Sequence, residues 1–210
     1  MDFAEAQKEA LGCTRCALSQ SRTRVVFGEG PLNAELFIVG EAPGFNEDSE
    51  GRPFQGASGM LLDRLLASVG MRRDQVYLTT LVKCRPPGTP PRSPRPSEVS
   101  RCRPYLMVQI AAVDPRVIVA LGELATRVLT GRKEPLSRIR GRAVPLDGRY
   151  VFPTLSLRKA LYTPADRALL ISDFGRIPEL LAAERPATYE TLNVPHPPGD
   201  GREPVQPGLW

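Results

Sequence analysis

Residues 36–44 read Leu36-Phe37-Ile38-Val39-Gly40-Glu41-Ala42-Pro43-Gly44. An apolar run without polar alternation ends abruptly in a carboxylate, a proline and two glycines. A strand with one wet face alternates polar and apolar side chains, so an unbroken run predicts a strand covered on both faces, as in a parallel sheet. Three more apolar runs follow: Val76–Val82 (VYLTTLV), Val117–Gly122 (VIVALG) and Tyr150–Leu155 (YVFPTL). Helical patterns lie between them. Residues 57–69 place Met60, Leu61, Leu65 and Val69 on one stripe. Residues 97–113 offer Ser97 as an N-cap, and Pro104 predicts a kink or a later start. Residues 122–130 end at Gly131, and a last helix starts at Thr163-Pro164. Strands alternating with helices predict an α/β fold: three layers, α/β/α, around a mainly parallel four-stranded sheet.

The chain has 210 residues, 41% hydrophobic and 24% charged, which suits one globular domain. We expect that domain over residues 1–184 and a Pro/Gly-rich tail over 185–210, which holds the only histidine, His196, as a surface residue. No apolar run approaches the ~20 residues of a membrane helix, so no membrane partner is expected. The start, MDFAEAQKEA, lacks a basic segment followed by an apolar one, so no signal peptide is expected and the cytoplasm is the default location. Net charge is +5. Basic clusters occur at Arg85–Arg103, Arg132–Arg142 and Arg158–Lys159. Arg pairs with phosphate through a planar fork, but charge alone leaves a solvated surface and nucleic-acid binding equally open. There is no G-x-G-x-x-G after the first strand and no P-loop, which speaks against a nucleotide-cofactor enzyme.

Four cysteines remain: Cys13-x-x-Cys16 near the N-terminus, Cys84 after the second strand, and Cys102 after the Pro-rich stretch 85–97. Two thiolates three residues apart can reach one centre from a single turn. Four thiolates serve structural zinc or an iron–sulfur cluster. A redox C-x-x-C would need no second pair. Four unrelated buried thiols are the plainer alternative.

The motifs around them occur in a telling order. Gly40-Glu41-Ala42-Pro43-Gly44 is followed by Glu47-Asp48 and then by Gly51-Arg52-Pro53-Phe54-x-Gly56. Later comes Val82-Lys83-Cys84-Arg85-Pro86-Pro87-Gly88. Over about residues 10–182 the chain resembles the type-4 uracil–DNA glycosylases, the iron–sulfur branch of their superfamily. The resemblance implies that Cys13, Cys16, Cys84 and Cys102 hold a 4Fe–4S cluster, with zinc the less favoured occupant. It implies a pocket that receives a flipped uracil from single- or double-stranded DNA, and hydrolysis of its N-glycosidic bond by a monomer. Glu41 and Glu47 match the acidic positions that orient water or stabilise positive charge on the sugar. Phe54 matches the aromatic that stacks on the base, and the backbone at Gly40, Ala42 and Gly44 would lie close to it. Leu157 is expected to fill the gap left by the base, with Arg158 and Lys159 on phosphate.

Two positions depart from the family. Thr80 stands where an Asn reads the uracil edge, and Ser156 where a His stabilises the departing base. A hydroxyl cannot reproduce the paired donor and acceptor of an amide. A weakly catalytic or non-catalytic lesion-binding protein on the same fold is therefore the alternative. The cluster is expected to be architectural, ordering a loop region that carries Arg92, Arg95, Arg101 and Arg103.

Overall fold

The computed structural model describes residues 1–186. Its sheet contains β1 (Leu36–Gly40), β2 (Tyr77–Thr80), β3 (Val117–Leu121), β4 (Val144–Leu146) and β5 (Arg149–Thr154) in the order β2-β1-β3-β5-β4. The first four neighbours in that order, β2 to β5, run parallel, and β4 is antiparallel to β5. The sheet thus has five strands where four were expected. The fifth is three residues long and contains Pro145, too short for a periodicity to register. It is joined to β5 by a two-residue turn, Asp147-Gly148, with φ of 50° and 71°. Positive φ at both positions suits a hairpin turn matched to strand twist, and Asp-Gly is its usual sequence.

The absence of polar alternation is explained by the layers. Leu36, Ile38, Leu78, Val117, Val119 and Phe152 face one side of the sheet, where they meet α3 (Gly56–Ser68), α7 (Leu157–Tyr162), α8 (Pro164–Phe174) and α9 (Ile177–Ala182). Phe37, Val39, Tyr77, Ile118, Ala120 and Val151 face the other side and meet α4 (Pro96–Val113) and α5 (Glu123–Thr130). Both faces are dry, so alternation persists but both sets are apolar. A third apolar cluster packs α1 (Phe3–Leu11) onto Leu18, Phe27, Val82, Val99 and Tyr105.

Two helices differ from expectation. In α3 the buried face is Leu61, Leu62, Leu65 and Leu66, while Met60 is 59% exposed. In α4 the N-cap is Arg95 rather than Ser97, and the helix runs as one element through Pro104. Pro96 supplies a pre-set φ in the first turn, and the Glu98 carboxylate accepts from the Arg95 N–H at 2.7 Å. Pro104 itself is exposed, while Tyr105, Leu106, Gln109 and Ile110 are buried, so packing along the inner face outweighs one missing hydrogen bond.

Candidate active site and cysteine centre

Parallel strands end together, and the loops that leave their carboxyl ends enclose a pocket of about 410 Å³. Its floor includes Gly40 at the end of β1, Leu121 at the end of β3 and Ser156 just after β5. Its walls come from residues 41–44, α2 (Phe45–Glu50), the Phe54-Gln55 turn, the Pro91–Pro94 segment and α7.

Phe54 sits at φ 51°, is 8% exposed, and lies in the core while lining the pocket. Its ring packs against Gly40 so closely that a Cβ there would stand 3.1 Å from two ring atoms. Gly40 is thus the residue that lets the ring approach the strand end. Glu41 is half-buried, and its Oε1 accepts from the Leu124 N–H at 3.2 Å, in the first turn of α5. Burial raises its pKa above the usual carboxylate range, the Leu124 bond and the Arg158 charge oppose that rise, and Glu123 adds to it. Gly122, at φ 96°, makes room for it: a Cβ there would approach Oε1 to 2.7 Å.

Glu47 also lines the pocket, but both of its oxygens are engaged by backbone. Oε2 accepts from the Gly44 N–H at 3.0 Å and Oε1 from the Gln55 N–H at 3.1 Å. It clasps the 41–44 loop, with Ala42 and Gly44 in the pocket wall, to the turn that carries Phe54. Thr80 is 3% exposed and is not a lining residue; its hydroxyl donates to the Val82 carbonyl at 2.8 Å. Ser156 does line the pocket, and its Oγ caps α7 by accepting from the Lys159 N–H at 3.3 Å. Leu157, expected to fill the gap left by the base, is 3% exposed, packs in the core and also lines the pocket. The exposed side chains of that helix are Arg158, Lys159 and Tyr162, with Lys159 near Asp166 at 3.6 Å.

The basic loop region is partly self-directed. Arg92 donates to both Glu98 oxygens, at 2.8 and 2.6 Å, and Arg101 donates to the Arg15 carbonyl. Other residues of consequence were not singled out from the sequence. Phe45 and Tyr162 line the pocket while highly exposed. Asp48 is buried and accepts from the Thr23 N–H at 2.9 Å. Lys83 is 1% exposed, and its Nζ donates to Thr79 Oγ1, the Thr80 carbonyl and Gln109 Oε1. Burial lowers the Lys83 pKa to about 7. Asp48, adjacent to Glu47, and Lys83, beside Cys84, stand in the quoted motifs; Phe45 and Tyr162 carried no sequence signal.

The four cysteines are unpaired thiols gathered in the third apolar cluster, Cys84 buried and the others half-buried. The Lys83 N–H donates to Cys102 Sγ at 3.2 Å. Arg22 Nη1 donates to Cys84 Sγ at 3.3 Å and to the Cys13 carbonyl at 2.7 Å. Burial raises the thiol pKa of Cys84 and pushes that of Cys102 up to about 11; the nearby cysteines add to both shifts. Such thiols ionise readily only beside a cation. Among the described residues, no group of three or more His, Cys, Asp or Glu is arranged to hold a metal ion. A lone zinc needs every sulfur within about 2.3 Å of one point. An iron–sulfur cluster takes four thiolates as well, and two of the four sulfurs, Cys102 and Cys84, already accept hydrogen bonds from the Lys83 N–H and Arg22.

A family model described as "Uracil DNA glycosylase superfamily" matches residues 27–175. The chain is 40% identical over 200 residues to a type-4 uracil-DNA glycosylase of Sulfurisphaera tokodaii, covering 90% of each. It is 39% identical over 193 residues to that of Archaeoglobus fulgidus, covering 88% of this chain and 96% of the relative. Over 144 residues it is 46% identical to that of Thermotoga maritima, covering 68% and 74%.

Proposed function

The chain belongs to the uracil–DNA glycosylase superfamily, in its type-4 branch, and from that premise we propose that it hydrolyses the N-glycosidic bond of uracil in DNA, leaving an abasic site. The observation that carries this reading is Glu41: a carboxylate held at one oxygen, half-buried, in a pocket at the strand ends beside a flat aromatic ring. The extruded base would lie on Phe54. The ionised Glu41 would face the sugar, where positive charge develops as the bond breaks, or orient the attacking water. Glu47 acts as a positioning residue for both. The pocket wall has a serine, Ser156, in place of an imidazole, and the Thr80 hydroxyl is directed to Val82, so Glu41 carries a larger share of the chemistry. The non-catalytic alternative is not favoured by relatives named as glycosylases.

Cys13, Cys16, Cys84 and Cys102 would hold a 4Fe–4S cluster, which when bound supplies a cross-link between distant segments; zinc is the less favoured occupant because the four cysteines stand where the type-4 family carries its cluster ligands. We propose that it acts as a monomer on single- or double-stranded DNA in the cytoplasm. Incubation with uracil-containing oligonucleotides followed by alkali tests the activity. Strand breaks at uracil are expected; none from U:G, U:A or single-stranded substrate at enzyme excess would refute it.

A further inference from the structure

Large apolar side chains are normally withdrawn from water, and the exceptions are informative when they cluster. Among the described residues two aromatic side chains are exposed, Phe45 at 71% and Tyr162 at 82%, and both line the same pocket. They come from opposite sides of it. Phe45 opens α2, which follows β1, and Tyr162 closes α7, which follows β5, with β3 between those strands. Two strand spacings separate their origins by about 10 Å. The Phe45 ring has the Arg85 guanidinium over it, 5.9 Å from the centroid, and Arg85 Nε lies 3.7 Å from the buried Asp48 carboxylate. The ring is thus backed by a tethered cation and remains open to solvent. Arg158, exposed beside Tyr162 and lining the pocket, offers a phosphate partner on that side.

We propose that Phe45 and Tyr162 are stacking platforms for the nucleotides that flank the flipped uracil, and that single-stranded DNA is the substrate form they serve. The proposal rests on the glycosylase reading above. In single strands the neighbouring bases have free faces, and every base has a π-face, so such platforms are indifferent to sequence. In a duplex those bases already stack on their neighbours and gain less.

The test uses Phe45→Ala, Tyr162→Ala, the double variant, and the conservative Phe45→Trp and Tyr162→Phe, on one uracil oligonucleotide as single strand and as duplex. Both positions are exposed, so thermal melts should stay at the wild-type value. Each alanine variant is expected to raise KM on the single strand by about 5–150-fold, the equivalent of one base–aromatic stack, with a much smaller change in kcat. The conservative variants should restore KM. An unchanged single-strand KM in the double variant overturns the proposal. So does a loss confined to duplex, which would assign gap-filling instead. A single-stranded oligonucleotide carrying an abasic-site analogue, followed by fluorescence anisotropy, gives the same comparison for binding alone. A wild type that releases no uracil yet loses affinity in the alanine variants would sink the glycosylase reading and leave the platforms standing.

Discussion

The Glu41 carboxylate takes one hydrogen bond, from Leu124, while burial holds its pKa above the ordinary value. The folded state therefore keeps this proton more tightly than the unfolded chain. Its stabilising contribution is full below the unfolded pKa and is lost as pH rises through the folded one. At neutral pH the ionised group costs stability in return for chemistry. Glu41→Gln keeps an acceptor for Leu124 and removes the charge. It should melt higher than wild type at neutral pH, with the difference vanishing below the ordinary Glu range, and lose about 10²–10³ in kcat. The acid limb of the wild-type pH–rate profile should lie above the ordinary Glu range, and a limb within it would contradict the assignment. Gly122→Ala tests the same group from behind. At φ 96° and 2.7 Å from Oε1, a methyl strains the backbone and displaces the carboxylate. We expect a loss of about 1–3 kcal/mol in denaturant titrations and lower kcat. The position of Glu41 was legible in the motif; the role of Gly122 was not, because its contact joins residues 81 apart through the meeting of β1 and β3.

At the element scale, Glu47 holds α2 and the Phe54 turn together through two backbone N–H groups. Glu47→Ala leaves both donors without their acceptor, at a cost of about 1–3 kcal/mol for a half-buried pair. It should lower the thermal midpoint and raise KM, since Phe54 loses its brace, while Glu47→Gln, keeping one acceptor, should fall between. Equal kcat losses in both variants at unchanged KM would instead give Glu47 a direct part in the chemistry. The four parallel strands were readable because burial on both faces leaves an unbroken apolar run. The fifth was missed although Asp147-Gly148 is a hairpin signal, since three residues with a proline show no period. The unbroken α4 was missed because propensity at Pro104 is local, and the packing that overrides it is not.

Across the whole molecule, the cysteines lie on segments that the sheet does not join. Cys13 and Cys16 follow α1, Cys84 follows β2, and Cys102 lies in α4. Their spacing was legible; that Arg22 bridges Cys13 and Cys84, and that the Lys83 amide meets Cys102, was not, since both depend on the packed third cluster. Between Cys84 and α4 runs the segment whose Pro91–Pro94 stretch walls the pocket. Of the arginines in this region, Arg92 is clamped on Glu98 and Arg101, in α4, on the Arg15 carbonyl. Loss of the centre should therefore act through the pocket wall more than through phosphate contacts. Cys102→Ser is expected to abolish visible absorbance, which zinc thiolate would lack in any case, and to lower the thermal midpoint. DNA affinity should fall while the slope of log affinity against log salt changes by less than one phosphate contact, about 0.9. A larger fall in slope would show that the loop cations do reach the backbone. Unchanged affinity in a folded, cluster-free variant would separate the centre from DNA binding, leaving it to hold α1 against α4 alone.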